Sequence, residues 1–284
     1  MSWEKPGAGI FWGLALWTLG SGFTMGGFDQ PHAVVADPPT GRIYVSNIQG
    51  PFTARDHRGY ISLLNSDGKP IHMHFILSGR NQVNLNAPKG MAIIGPHLFV
   101  ADLDQVHRFD KATGRLLGTV DLSLLGVRSL TGLAAGPEGM LYAADMPGNA
   151  IYRINTQRQD TVSLWIKDPG LDQPTGLVYD PRFQRLLIGT WNRGKILFLD
   201  RDKRLFDLTP KRFKGIQGLA LDRRGDLVFS AMREGKIYRL RQFETLEVIR
   251  KNLLTPAMIG LDRGGRRVLI PSMRGNILFT TFLP

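Results

Sequence analysis

The chain has 284 residues, 43% of them hydrophobic, with 33 glycines and 17 prolines, a composition that supports a packed core crossed by many turns. It contains no cysteine, which excludes a disulfide framework, a thiolate metal site and a cysteine nucleophile. Its formal net charge of +12 is unevenly placed: residues 1–192 hold 16 basic and 15 acidic side chains, whereas residues 193–284 hold 20 and 9. A one-sided excess points to an anionic ligand or an acidic protein partner.

At the N-terminus Lys5 precedes an apolar run, Ile10–Leu19, followed by Gly20, Ser21 and Gly22. This is the layout of a secretory signal, and the run is too short to span a bilayer. Glu4 and the lack of an A-x-A cleavage site depart from that pattern. The expectation is a periplasmic or secreted protein in which residues 1–21 are a signal peptide or, alternatively, an arm packed on the domain. Residues 22–284 read as one domain. Later in the chain no run approaches 18 apolar residues, so any membrane involvement is expected to be peripheral contact.

From residue 31 onward one unit repeats. Its starts are PHAVV at Pro31, PKGMA at Pro88, LTGLA at Leu130, PTGLV at Pro174, IQGLA at Ile216 and PAMIG at Pro256, separated by 57, 42, 44, 42 and 40 residues. In the second unit a Pro-x-Gly turn leads to expected strands at Met91–Ile94, Leu98–Ala101, Val106–Phe109 and Leu116–Val120. The second strands align as IYVSN, LFVADL, LYAADM, LLIGTW, LVFSAM and VLIPSM, and the intervening turns carry Pro, Asp and Gly, which preset or tolerate turn dihedrals. Four short strands every forty residues or so predict an all-β fold, a six-bladed β-propeller with four-stranded antiparallel blades. The sixth unit reaches Pro284 with no sequence left for an outer strand. A closed ring abolishes its exposed edge, so Phe23–Met25 is expected to pair beside the last strand. Two insertions, Gln49–Gly59 and Ser78–Leu85, lengthen loops on an otherwise regular scaffold and are places to look for function.

In such a ring the starts of the inner strands and the ends of the second strands meet at one mouth of the central channel. The starts bring His32, Lys89, Thr131, Thr175, Gln217 and Ala257; the ends bring Asn47, Asp102, Asp145, Trp191, Met232 and Met273. Basic residues of the last three blades, with Arg193, Lys195, Lys214, Arg233, Lys236 and Arg274 foremost and Trp191 beside them, are the expected contacts for an anionic ligand or partner. On the opposite face Arg201, Arg204, Arg223, Arg224 and Arg267 are balanced by Asp200, Asp202, Asp222, Asp226 and Asp262.

The repeated P-x-G-[LM]-A start, the six units and the FVAD strand resemble the gluconolactonase and senescence-marker-protein superfamily of propellers, and NHL-type repeats more loosely. The stretches RDHRGYIS, LNAPKGMA and ADLDQVHRFDKATG are similar to exported bacterial members labelled gluconolactonase-like. The resemblance covers residues 22–284 and implies a hydrolase with one divalent cation, calcium or zinc, held by a Glu, Asn residues and an Asp. At the matching positions this chain has His32, Thr175 and Gln217, without the carboxylates a hard cation wants. No resident cofactor is therefore expected. A displaced calcium site would draw on Asn47, Asp102, Asp104 and Asp145, which alternatively satisfy backbone amides at strand ends. Lys89, Asp102 and His32 are the catalytic candidates. A Lys89 buried beside Asp102 would serve as acid or base, or form a structural ion pair across blades. The leading reading is a binding module at the mouth; the alternative is a lactonase-type hydrolase with a rearranged metal site.

Other chemistries lack their motifs. No H-E-x-x-H, G-x-S-x-G, P-loop or dinucleotide fingerprint is present. Nucleic acid is not expected, because no set of aromatics marks a base-stacking platform.

Overall fold

Alternating branched and aromatic residues between glycine- and proline-bearing turns build six four-stranded antiparallel sheets in the computed structural model, which describes residues 22–200 and 202–284. The signal-peptide reading of residues 1–21, and Arg201, lie outside the described residues. Each sheet is one blade of a six-bladed propeller. Blade 1 comprises Pro31–Ala36, Ile43–Asn47, Tyr60–Leu64 and Pro70–Leu77, and blade 2 comprises Pro88–Ile94, His97–Asp102, Gln105–Asp110 and Leu116–Asp121. The second and third strands of blade 1 are buried along their whole length, because a blade is packed on both faces. Among the described residues a cluster of buried side chains lies between each pair of adjacent blades, and a smaller one gathers Ile48, Ala87 and Leu103. Tyr44, Phe109 and Val100 join blades 1 and 2, for example, and Phe229, Phe213 and Leu187 join blades 4 and 5.

The ring closes as expected. Thr24–Gly26 lies antiparallel to Ile277–Phe282, with Met25 opposite Leu278, and becomes the outer strand of blade 6. Phe23, expected within that strand, precedes it, yet its carbonyl still accepts from Thr280 N at 3.0 Å.

The glycine of the Pro-x-Gly start does a different job from the turn expected of it. In blade 2 the inner strand already begins at Pro88, and Gly90 lies within it. A Cβ added at Gly90 would collide with the Thr131 carbonyl, one at Gly132 with that of Thr175, one at Gly176 with that of Gln217, and one at Gly218 with Ile259 N. These glycines let neighbouring inner strands approach backbone to backbone. Hydroxyls tie adjacent blades together, from second strands at Ser46 and Ser230 and from an inner strand at Thr175: Ser46 Oγ donates to Lys89 O at 2.8 Å, Thr175 Oγ1 to Ile216 O at 2.6 Å and Ser230 Oγ to Ala257 O at 2.7 Å. At the seam between blades 6 and 1 the inner segments are linked by backbone, Met258 N to His32 O at 2.9 Å and Val34 N to Met258 O at 3.3 Å, while away from the inner strands Gln30 N donates to Asn276 Oδ1 at 2.9 Å and Arg267 donates to Ser66 O at 3.0 Å.

The face opposite the mouth is latched by charge. Lys111 Nζ meets Asp37 at 2.6 Å across blades 2 and 1, and Arg108 meets Asp160 at 3.1 Å across blades 2 and 3. Arg204 pairs with Asp200 and Asp202, and Arg267 with Asp262. Asp222 and Asp226, expected to balance Arg223 and Arg224, instead hold the buried Arg239 at 2.7 and 3.1 Å. A buried guanidinium demands such partners, so it outcompetes arginines that reach water.

Candidate binding site at the channel mouth

Every inner strand of blades 1–5 carries a register shift just after its first residue. A bulge turns a side chain out of the sheet's regular alternation, and the residue so placed is His32, Lys89, Thr131, Thr175 or Gln217. These five form a ring around the channel. Above it opens a cavity of about 900 Å³, to which His32, Lys89, Thr131 and Gln217 contribute the base. Thr175, expected at the mouth, is fully buried, its hydroxyl donating to Gly189 O and Ile216 O. The wall is largely apolar: Trp191, Met232 and Met273 from second-strand ends, Leu253 and Leu254 from the loop entering blade 6, and Phe52 from the Gln49–Gly59 insertion. Arg233 and Arg274 stand exposed at the rim, and the Arg233 guanidinium lies over the Trp191 ring at 4.6 Å.

The electrostatics of the base are unusual. Lys89 is only 2% exposed, and Nζ donates to Ser129 Oγ at 3.1 Å. No carboxylate of the described residues lies within ion-pair distance of it, so the expected ion pair with Asp102 does not form. Burial brings the amine down to about 8, with Asp102 at longer range opposing the fall. His32 is driven down to about 3 by burial and then by the neighbouring Lys89 charge. Its imidazole is therefore neutral at ordinary pH. His32 Nδ1 and Gln217 Oε1, both on residues facing the cavity, have no hydrogen-bond partner among the described residues.

The acidic candidates turn away from this space. Asp102 accepts from the amides of Asn86 and Ala87, both at 2.7 Å, and stands 3.6 Å from His107 Nε2. Asp145 accepts from Ser129 N at 3.4 Å, and burial raises its carboxyl above the usual range against the pull of nearby amides. Asn47 accepts from Asp29 N at 3.3 Å, and Asp104 is bound by Arg55 at 2.6 Å. Each of Asn47, Asp102 and Asp145 braces the loop that enters its own blade. The side chains that a displaced calcium site would draw on, Asn47, Asp102, Asp104 and Asp145, are thus each engaged by local donors, and no three His, Asp or Glu side chains gather at metal-binding distance among the described residues. The residues on the ring do not fit the divalent cation of the resembled superfamily either, since a neutral histidine, Thr175 and Gln217 hold the matching positions and the buried Lys89 ammonium stands beside His32.

The basic candidates divide. Arg233, Arg274 and Trp191 line the cavity. Lys195 does not: its ammonium is buried against Thr209 O and Pro210 O, both at 2.8 Å, with Asp207 at 3.3 Å. Arg193 is held by Asp207 at 3.1 Å and Gly170 O at 3.3 Å. Lys236 leans on Glu234 at 3.8 Å, and Lys214 is exposed beyond the rim. Sequence reasoning missed Ser129, Phe52, Met146 and the Leu253–Leu254 pair. The last carried a signal, an apolar pair in a loop aimed at the mouth. The Ser78–Leu85 insertion faces elsewhere, lining a second cavity of about 510 Å³ on the outer edge of blade 1.

The chain is similar in fold to solved propellers over nine-tenths or more of its length. A catalytically inactive variant of virginiamycin B lyase from Staphylococcus aureus with quinupristin superposes with a TM-score of 0.62 at 14% identity, over 93% of this chain and 99% of that one. A streptogramin B lyase gives 0.64 at 12% identity over 93% and 98%. A protein of unknown function from Bacteroides thetaiotaomicron gives 0.67 at 13% identity over 90% and 70%. No family model and no curated protein matches the sequence. At these identities the likeness carries the fold and not the reaction, and the gluconolactonase resemblance likewise extends to architecture.

Proposed function

We propose that the propeller binds an amphipathic anion at its mouth, a small molecule with an apolar body and one acid group. The observation that carries this reading is Lys89, a buried ammonium without a carboxylate partner at the base of a largely apolar cavity. A desolvated charge is costly until it is paired. A ligand carboxylate at Nζ supplies that pair, with His32 and Gln217 offering further polar contacts. Trp191, Met232, Met273 and Phe52 cover the apolar body, methionine adapting to its shape. Arg233 and Arg274 then attract the anion from solution without being its anchor.

The acidic-protein form of this reading is disfavoured by depth, because a macromolecular surface meets the rim before it meets Lys89. The metal-dependent lactonase alternative has no ligand set on the ring. Export belongs to the same proposal and rests on the Lys5–Gly22 pattern; fusing residues 1–27 to a reporter active only outside the cytoplasm tests it, and a silent reporter would refute it.

Titration calorimetry with octanoate and octanol tests the site. Octanoate is expected to bind about tenfold or more tightly than octanol, the worth of one charge-assisted hydrogen bond. Equal affinities would remove Lys89 as anchor.

A further inference from the structure

The geometry that makes Lys89 an anchor also presents it as a nucleophile, an inference that rests on the mouth being a ligand site. Amines in proteins are ordinarily kept unreactive by protonation, by ion pairing with a carboxylate, or by exposure to bulk water. Lys89 has neither of the last two: it is 2% exposed, and its one hydrogen bond goes to the Ser129 hydroxyl. The charged and titratable groups around it are Asp102 behind its strand, His32 on the adjacent blade, and Arg233, Glu234 and Arg274 across the cavity. Of these Asp102 favours the ammonium, from beyond ion-pair distance and outweighed by burial, and its oxygens are taken by the Asn86 and Ala87 amides.

We infer that Lys89 captures carbonyl compounds: its Nζ condenses with an aldehyde or ketone on an apolar ligand to give an imine. The nitrogen lone pair forms the new C–N bond while the carbonyl π pair moves to oxygen. One amine proton transfers to that oxygen, giving a carbinolamine. The C–O bond then breaks, the nitrogen lone pair closes the C=N bond, and the oxygen leaves as water with both original amine hydrogens. No oxidant or reductant is required. His32 is placed to relay the proton, since its imidazole is neutral and Nδ1 is unpartnered. Burial assists by leaving about a tenth of the amine unprotonated at pH 7, against less than about a thousandth for an exposed lysine.

Reductive trapping tests this. The full chain is incubated at pH 7 with octanal and cyanoborohydride, and the octyl adducts are mapped by peptide mass. Apart from the chain's α-amine, Lys89 is expected to be alkylated at least about tenfold faster than the exposed Lys211 and Lys251, and octanoate is expected to slow Lys89 alone. In K89R the adduct at that position is expected to disappear while labelling of Lys211 and Lys251 is unchanged. Uniform labelling of lysines, or an unmodified Lys89, overturns the inference even where octanoate still binds. Trapping at Lys89 in a protein that ignores octanoate would support the inference and defeat the anion-binding reading instead.

Discussion

The two halves of the mouth are finished differently. In blades 1–3 the second strands end on Asn47, Asp102 and Asp145, which reach back to the amides of the loop entering their own blade. In blades 4–6 the equivalent positions are Thr190, Ala231 and Ser272, and the residues just beyond them, Trp191, Met232 and Met273, face the cavity. The carboxylates and Asn47 hold loops and leave the space; the larger apolar side chains one residue further on fill the wall. A carboxylate beside a channel is therefore no guide to where chemistry happens, because local backbone donors claim it first. The charge on which the proposed binding rests lies instead on the bulged start of an inner strand, at Lys89.

This contrast can be broken from several sides. The largest effect should come from the closure on which both halves depend. A chain beginning at residue 28 lacks the Thr24–Gly26 strand that a chain beginning at residue 22 retains, and an unpaired last blade is expected to cost the fold its cooperative melt, read by calorimetry. Next is Asp102→Ala, which orphans two buried amides and should lower stability by roughly 3 kcal/mol, a fall in Tm of roughly 6–10 °C. Octanoate affinity at a temperature where the variant is folded should change little. Met273→Ala is the mirror case and should weaken octanoate binding severalfold. A matched loss of binding in both variants would erase the distinction between the halves.

The inner ring has its own signature in pH. Because the folded Lys89 amine lies near 8, below its ordinary 10.5, the unfolded chain binds more protons between those values. Stability contributed by this group therefore rises with pH from 8 to 10.5, by roughly 3 kcal/mol at about 1.4 kcal/mol per unit. Lys89→Met should abolish that rise, and at pH 7 it should stabilise the protein while losing octanoate. For His32, held near 3 against 6.5, the same sign makes stability fall as pH drops from 6.5 towards 3, and His32→Gln should flatten that decline. The smallest effect belongs to the rim: Arg274→Ala should reduce octanoate affinity about two- to threefold at low salt and have no effect at high salt.

Much of the architecture was legible because it repeats. Three strand alignments in one register fix six blades, and the missing outer strand of the last one calls for the N-terminal donor. The site was half legible. Lys89, His32, Trp191, Arg233 and Arg274 follow from their blade positions, since position decides which side chains meet a channel. What position cannot show is competition for partners. Lys195 looked like Arg233 in sequence, yet the Thr209 and Pro210 carbonyls engage it. Asp102 looked like a ligand, yet the Asn86 and Ala87 amides had the prior claim. The Pro-x-Gly glycine looked like a turn because what requires it is the backbone of the next blade, forty residues away.

One consequence follows from the seam between the last blade and the first. There the inner strands meet through backbone hydrogen bonds, and one of the two carbonyls involved belongs to His32. The strand that carries this seam is thus also the one that brings His32 to the cavity. On the proposed reading, a molecule lodged against His32 would bear on the same strand that joins the first blade to the last, and so act as a clasp on the wheel.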